Sequence, residues 1–107
     1  MINTIDINAK EWFDKKYGNS YFAGTITLNN GTETEETFLM PFQYGYGEQY
    51  KTEAKSILTE FNKISADFGR SLSMYCRDNN IILRGSIIEN CLKRELKQIE
   101  TNYNNNL

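Results

Sequence analysis

The chain has no histidine, one proline and two cysteines among its 107 residues, and each scarcity removes some chemistry. Without histidine, the commonest general base, nucleophile activator and zinc ligand is missing. Cys76 and Cys91 stand fifteen positions apart with no third soft ligand, a poor basis for a metal site. Compartment and composition read them as reduced, partly buried thiols, not a disulfide. Charge of one sign is lacking too. Twelve Lys and Arg against fourteen Asp and Glu give a net charge of -2, too mild for a dedicated polyanion binder or a heavily acidic DNA mimic. No apolar run approaches the ~18 residues of a membrane span. The opening Met1-Ile2-Asn3-Thr4-Ile5-Asp6 has neither the basic start nor the apolar middle of a secretory signal. The reading is therefore cytoplasmic, with no membrane partner. No G-x-G-x-x-G, Walker loop or G-x-S-x-G elbow occurs, so neither a catalytic residue, nor a metal, nor a cofactor is expected.

What is present suffices for a fold. Hydrophobic residues make up 39%, aromatics 13% and charged residues 24%, enough for one compact core. The expectation is a single α+β domain over residues 1–101 with a frayed tail over 102–107, where asparagines accumulate. From Thr4 to Phe13, Ile5, Ile7, Ala9 and Phe13 alternate as one face of a strand. A second strand carries Phe22, Gly24, Ile26 and Leu28 on one face and Tyr21, Ala23, Thr25 and Thr27 on the other. Asn29-Asn30-Gly31 accepts the positive φ of a tight hairpin. A third strand follows with Phe38, Met40 and Phe42 inward, ending near Pro41.

The period then changes. Tyr50, Ala54, Ile57, Leu58, Phe61, Ile64, Ser65 and Phe68 recur at helical spacing, with Lys51, Lys55, Glu60, Lys63 and Asp67 opposite and Gly69 as the stop. This predicts a long central helix over 50–68 covering the sheet, and makes Phe61→Ala a stability lesion. Leu72, Tyr75 and Cys76 predict a short helix, broken by Asp78-Asn79-Asn80. Ser86 and Glu89 have capping-box spacing for a C-terminal helix over 87–101, striped by Ile88, Cys91, Leu92, Leu96, Ile99 and Tyr103. Residues 81–87 also alternate and offer a fourth strand. The architecture expected is thus a three-stranded antiparallel meander, or four-stranded with 81–87, packed by the central helix and flanked by a short and a C-terminal helix.

Candidate contact residues fall into three groups. Trp12, Tyr17, Tyr21, Tyr44, Tyr46 and Tyr50 cluster around the connections 14–20 and 43–48, and tyrosine suits binding surfaces through its low ordering cost and hydroxyl. Tyr50 heads the apolar stripe and reads as core. Lys15 and Lys16 beside Tyr17 could stack single-stranded bases. Glu33, Glu35 and Glu36 could mimic phosphates for a basic groove, against the plainer reading of a solvated strand end. Glu48 reads first as a favourable charge at a helix N-terminus. Gly45 and Gly47 sit between strand and helix, the right context for a nucleotide with too few glycines, so a turn needing flexibility is the plainer reading. On the last helix Lys93, Arg94 and Lys97 could touch nucleic acid, but Glu95 and Glu100 interrupt the field, and an ordinary polar face is the plainer reading.

The runs Trp12-Phe13-Asp14-Lys15-Lys16-Tyr17-Gly18-Asn19-Ser20-Tyr21-Phe22 and Pro41-Phe42-Gln43-Tyr44-Gly45-Tyr46-Gly47-Glu48-Gln49-Tyr50, with Tyr75-Cys76-Arg77-Asp78-Asn79-Asn80 later, resemble a group of small bacteriophage and mobile-element proteins with no assigned reaction. The resemblance implies an accessory protein in a bacterial cytoplasm and supplies no catalytic residue. Many such proteins bind and block host defence machinery, anti-CRISPR inhibitors among them. The functional expectation is a non-enzymatic inhibitor of a host protein, a CRISPR effector nuclease being the suggested partner. It would bind through Trp12, Lys15, Lys16, Tyr17, Tyr44, Tyr46 and Glu48 with the acidic Glu33, Glu35 and Glu36. A nucleic-acid binding module and a small-nucleotide binder are the alternatives.

Overall fold

A computed structural model of the chain describes residues 1–65 and 69–106. The period-two segments form β1 (Thr4–Asp14) and β2 (Asn19–Leu28), antiparallel from Ile5 opposite Leu28 to Asp14 opposite Asn19. Strand alternation puts Ile5, Ile7 and Ala9 on one face with Leu28, Ile26 and Gly24; Asp6, Asn8, Lys10 and Trp12 share the other with Thr27, Thr25, Ala23 and Tyr21. β3 (Glu36–Tyr44) pairs antiparallel with β2, and β4 (Ile82–Ile88) pairs parallel with β1, giving the order β3-β2-β1-β4. The fold is α+β with a four-stranded mixed sheet, where an antiparallel meander was expected. A period-two pattern marks a strand but carries no direction; the direction of β4 follows from the helices that deliver the chain to the Asn3 end of β1, where Ile82 N–H donates to Asn3 O at 3.0 Å.

Helices cover both faces. α1 (Gln49–Glu60) and α2 (Leu72–Asp78) bury Tyr50, Ala54, Ile57, Leu58, Leu72 and Cys76 against Ile5, Ile7, Ile26, Leu28, Phe38 and Met40. α3 (Lys93–Asn105) lies over the opposite face, with Leu96 fully buried and Tyr103 Oη donating to Thr37 O at 3.3 Å. Burying each large aliphatic side chain contributes about 1.5–3 kcal/mol, so both faces of the sheet help hold it.

The central helix is shorter than the apolar stripe suggested. It ends at Glu60, with Asn62 in the left-handed region at φ 58° and Lys63 N–H donating to Leu58 O at 2.8 Å, a Schellman stop. Asn62 does what Gly69 was expected to do. Ile64 remains buried beyond the stop, Ser65 is exposed, and the expected Asp67 and Phe68 lie outside the described residues. Phe61 is 55% exposed, its ring 5.1 Å from that of Phe38, so Phe61→Ala is a surface change and not a core lesion. α2 ends in the same way: Asn80 has φ 55° and Ile81 N–H donates to Cys76 O at 2.8 Å. Its start is capped by Ser71, whose hydroxyl accepts from Met74 N–H.

At the C-terminus, Ser86 does not cap a helix. Residues 82–88 are strand, and Ser86 Oγ pairs with Asn8 Oδ1 across the ladder at 3.3 Å. α3 begins six residues after Ile87, the expected start, where the Glu95 carboxylate accepts Leu92 N–H. It continues through residues 102–105, where the asparagine content predicted fraying, with Gln98 Nε2 donating to Asn102 Oδ1 at 2.8 Å.

The two other departures are local. Asn29 and Gly31, not Asn30, take positive φ, and residues 29–35 form a loop longer than a two-residue hairpin. Pro41 does not end β3. It sits on an edge strand where a missing N–H is tolerated, at a register shift that opposes Gly24 with Met40 but Phe22 with Gln43.

The cysteines are both free, Cys76 buried in α2 and Cys91 half-buried after β4. Burial pushes the Cys76 thiol above its usual range. In native protein Cys91 is expected to react with a thiol-specific reagent while Cys76 reacts only after denaturant is added. Two fast equivalents before unfolding would contradict that placement.

Candidate functional site

The bulge at Pro41 creates the most distinctive surface. Two residues of β3 there oppose one of β2, so Phe42 turns away from the core that alternation assigned it and onto the face shared by Trp12 and Tyr21. Tyr21 is stacked between its neighbours, 5.4 Å from Trp12 and 5.2 Å from Phe42, with interplanar angles of 24° and 10°. Tyr44 stands edge-on to Tyr21 at 5.9 Å. From α3, Lys93 Nζ lies 5.4 Å from the Trp12 ring centroid and Lys97 Nζ 4.2 Å from that of Phe42. Each ammonium sits where the ring quadrupole attracts it.

This ledge occupies the end of the sheet where β1 finishes, β2 begins and β3 finishes. The β1–β2 turn closes there, with Gly18 N–H donating to Asp14 O at 2.7 Å and Gly18 at φ 72°. It projects Lys15, Lys16 and Tyr17, with Lys16 Nζ 5.3 Å from the Tyr17 ring centroid. Tyr17 is 69% exposed, and Tyr44 and Tyr46 are each 61% exposed. Trp12 and Tyr21 are half-buried, and Tyr21 backs Tyr44. Tyr50 is buried in the core, as its place on the stripe predicts, and burial raises its phenol pKa.

The connection after β3 is a turn with positive φ at both glycines, 157° at Gly45 and 61° at Gly47. A Cβ on buried Gly45 would lie 2.5 Å from Phe22 Cε1, so the glycine answers to space. Gln49 Oε1 accepts Tyr46 N–H at 2.7 Å, which occupies a donor that a phosphate would need. Glu48 pairs with Lys51 at 3.0 Å, and that hydrogen bond is the main reason the Lys51 ammonium holds its proton more firmly than usual.

The acidic residues are elsewhere. Glu33, Glu35 and Glu36 lie at or beside the β2–β3 loop, at the far end of β2, roughly 23 Å from Tyr21 at a strand rise of about 3.3 Å per residue. Glu35 accepts Gly31 N–H at 2.8 Å and Glu36 pairs with Lys63 at 2.9 Å; Glu33 alone of the three has no such partner among the described residues. The acidic trio therefore does not join the aromatic end in one patch.

Phe42, Lys93 and Lys97 belong to the ledge; Phe42 was expected inward, and the two lysines were expected only as a nucleic-acid contact, not beside the rings. Pro41 was the available signal, since proline inside a strand pattern points to a bulge that reverses the faces beyond it. The i,i+4 spacing of Lys93 and Lys97 puts both on one side of a helix, but nothing in the sequence says that side meets the rings.

A cavity of about 700 Å³ lies alongside, between α3 and the strands, lined by Asn8, Lys10, Ser86, Ile88, Ile99 and Tyr103 among others. Its walls are neutral apart from Lys10 and Glu35. Among the described residues no three His, Cys, Asp or Glu side chains gather as metal ligands, and no helix is long and apolar enough to cross a membrane. Comparison with family models, curated proteins and solved structures finds no match.

Proposed function

We propose that the chain is a non-enzymatic binding protein that holds a protein partner against the tyrosine end of its sheet. The observation that carries this reading is the trio Tyr17, Tyr44 and Tyr46, all exposed on the connections at one end of the sheet, with Tyr44 edge-on to the stacked rings. Such rings contribute contact area at low ordering cost, and their hydroxyls pair with polar groups of a partner. Lys15 and Lys16 precede Tyr17, and Lys93 and Lys97 lie over the Trp12 and Phe42 rings at the same end, which favours a partner with an acidic rim. The resemblance of residues 12–22 and 41–50 to phage and mobile-element proteins supports an inhibitor of host defence, with a CRISPR effector nuclease as the target to test first.

Nucleic-acid binding is the second reading, favoured by Lys15, Lys16 and Tyr17 in one exposed turn. The ledge itself argues against base stacking. Trp12, Tyr21 and Phe42 spend their faces on one another and on the two lysines, whereas a base needs an open face.

Wild-type protein is expected to form a stable complex with a purified effector and to inhibit its cleavage. A folded variant with Tyr17, Tyr44 and Tyr46 all changed to Ala is expected to bind at least ~10-fold more weakly, since one exposed anchor is commonly worth a kcal/mol or more. Equal inhibition by that variant rejects the surface. Failure across a panel of effectors rejects the target class. Tight binding of single-stranded oligonucleotides that weakens steeply with salt establishes the second reading instead.

A further inference from the structure

The two edges of the sheet differ. β3 carries Pro41, a bulge and the Glu36–Lys63 ion pair, devices that discourage another strand from pairing. β4 has none of them. Its sequence, Ile82-Leu83-Arg84-Gly85-Ser86-Ile87-Ile88, contains neither proline nor lysine. Its one charge is neutralised in the same sheet, where Arg84 donates to Asp6 from Nε at 2.6 Å and from Nη2 at 3.0 Å.

The direction of its backbone groups follows from the register. Ile82 N–H donates to Asn3 O, with Ile82 opposite Thr4 in a parallel ladder. Residues 82, 84, 86 and 88 therefore turn their amides and carbonyls toward β1, and Leu83, Gly85 and Ile87 turn theirs outward. Those outward groups have no partner among the described residues. Ile82 and Ile88, on the face beside the α3 cavity, are each 58% exposed.

We infer that β4 pairs antiparallel with β4 of a second copy of this chain, about a two-fold axis through Gly85. The strand is close to a palindrome of side-chain type around that residue. In this register Ile82 opposes Ile88 of the second copy, Leu83 opposes Ile87, and Arg84 opposes Ser86. The outward-facing residues Leu83, Gly85 and Ile87 then fall on the hydrogen-bonded pairs of an antiparallel ladder, two bonds for each opposed pair, so the free backbone groups and the apolar matches select the same alignment. The charges shown beside the axis are paired: Arg84 is held by Asp6, and Lys51, whose stem lies beside Gly85, is held by Glu48. The contact is isologous and closes as a dimer. A foreign extended segment would gain the ladder without that symmetry of side chains.

A seven-residue ladder with its flanking side chains is at the small end of specific interfaces, so the dimer is expected to dissociate in roughly the micromolar range. Sedimentation of the full chain over rising concentration is expected to move the mass from 12.5 kDa toward twice that value. Ile82→Lys sets an ammonium against Ile88 of the second copy and is expected to weaken the dimer at least ~10-fold. Adding Ile88→Glu is expected to restore it, because the register opposes the two positions and creates an ion pair at each end. Both side chains are exposed, so circular dichroism of the variants should match wild type. A mass of 12.5 kDa at every concentration, or a dimer indifferent to Ile82→Lys, overturns the inference. So does a double variant no better than Ile82→Lys alone, or a strictly monomeric chain that takes up an extended peptide along β4.

Discussion

Gly24→Ala is expected to cost about 3 kcal/mol or more and to lower the melting temperature by ~10 °C or more. Gly24 faces Ala9 in the centre of the sheet, and a Cβ built on it would lie 2.3 Å from Asn8 O and 2.9 Å from Ala9 Cα. Both are backbone atoms of β1, the strand that also holds β4, so nothing short of parting the two central strands relieves the overlap. Gly85→Ala is the internal comparison. Its Cβ would meet Tyr50 Oη at 3.0 Å and Lys51 Cε at 3.1 Å; the lysine stem can swing aside and the tip of the buried Tyr50 need shift only slightly, so an effect of about 1 kcal/mol is expected. Urea unfolding of the two variants checks the pair; equal stabilities would mean that β1 and β2 are not as closely apposed as described.

The second large effect belongs to Asn29, the one buried polar residue among those described. Its Oδ1 accepts the amides of Asn3 and Thr4 at 2.7 and 3.3 Å, and its Nδ2 donates to Met1 O and Thr34 Oγ1, each at 3.1 Å. Its backbone stands at φ 51°. Asn29→Ala strips partners from enclosed groups and keeps a Cβ in the left-handed region without the short polar side chain that makes asparagine tolerant of it, and a loss of about 3 kcal/mol is expected. Asn29→Gly loses the same bonds without the backbone strain and should be about 1 kcal/mol less harmful. Denaturation of the two side by side separates the contributions: identical values would place the whole effect in the hydrogen bonds.

Asn29 also shows what the sequence could not convey. Its tolerance of positive φ was legible, and so was a chain reversal nearby. That its amide ties down Met1, Asn3 and Thr4 depends on a neighbour 25 or more residues away. The faces of β2 were readable in full because alternation is a local property, and the short helix and its stop at Asp78-Asn79-Asn80 were readable for the same reason. The stripe from Tyr50 onward misled because Ile64 is buried without being helical: burial keeps the apolar pattern going past the point where Asn62 has already ended the helix. The candidate surface divides likewise. Tyr17, Tyr44 and Tyr46 were identifiable from residue type and loop position. Phe42 was not, because a single inserted residue reverses which face it occupies, and the acidic trio was misgrouped because hairpin tips at opposite ends of a sheet look alike along the chain.

The parallel pairing of β1 with β4 also sets an order of events during synthesis. The hairpins joining β1, β2 and β3 can close as soon as Tyr44 has emerged, but Arg84 must return across 78 positions to reach Asp6. At roughly 5–20 residues per second the ribosome needs about 2–8 s to add the residues between Tyr44 and Arg84. Until then the Ile5–Ile7–Ala9 strand lacks its second neighbour, so closing the sheet is expected to come last in folding.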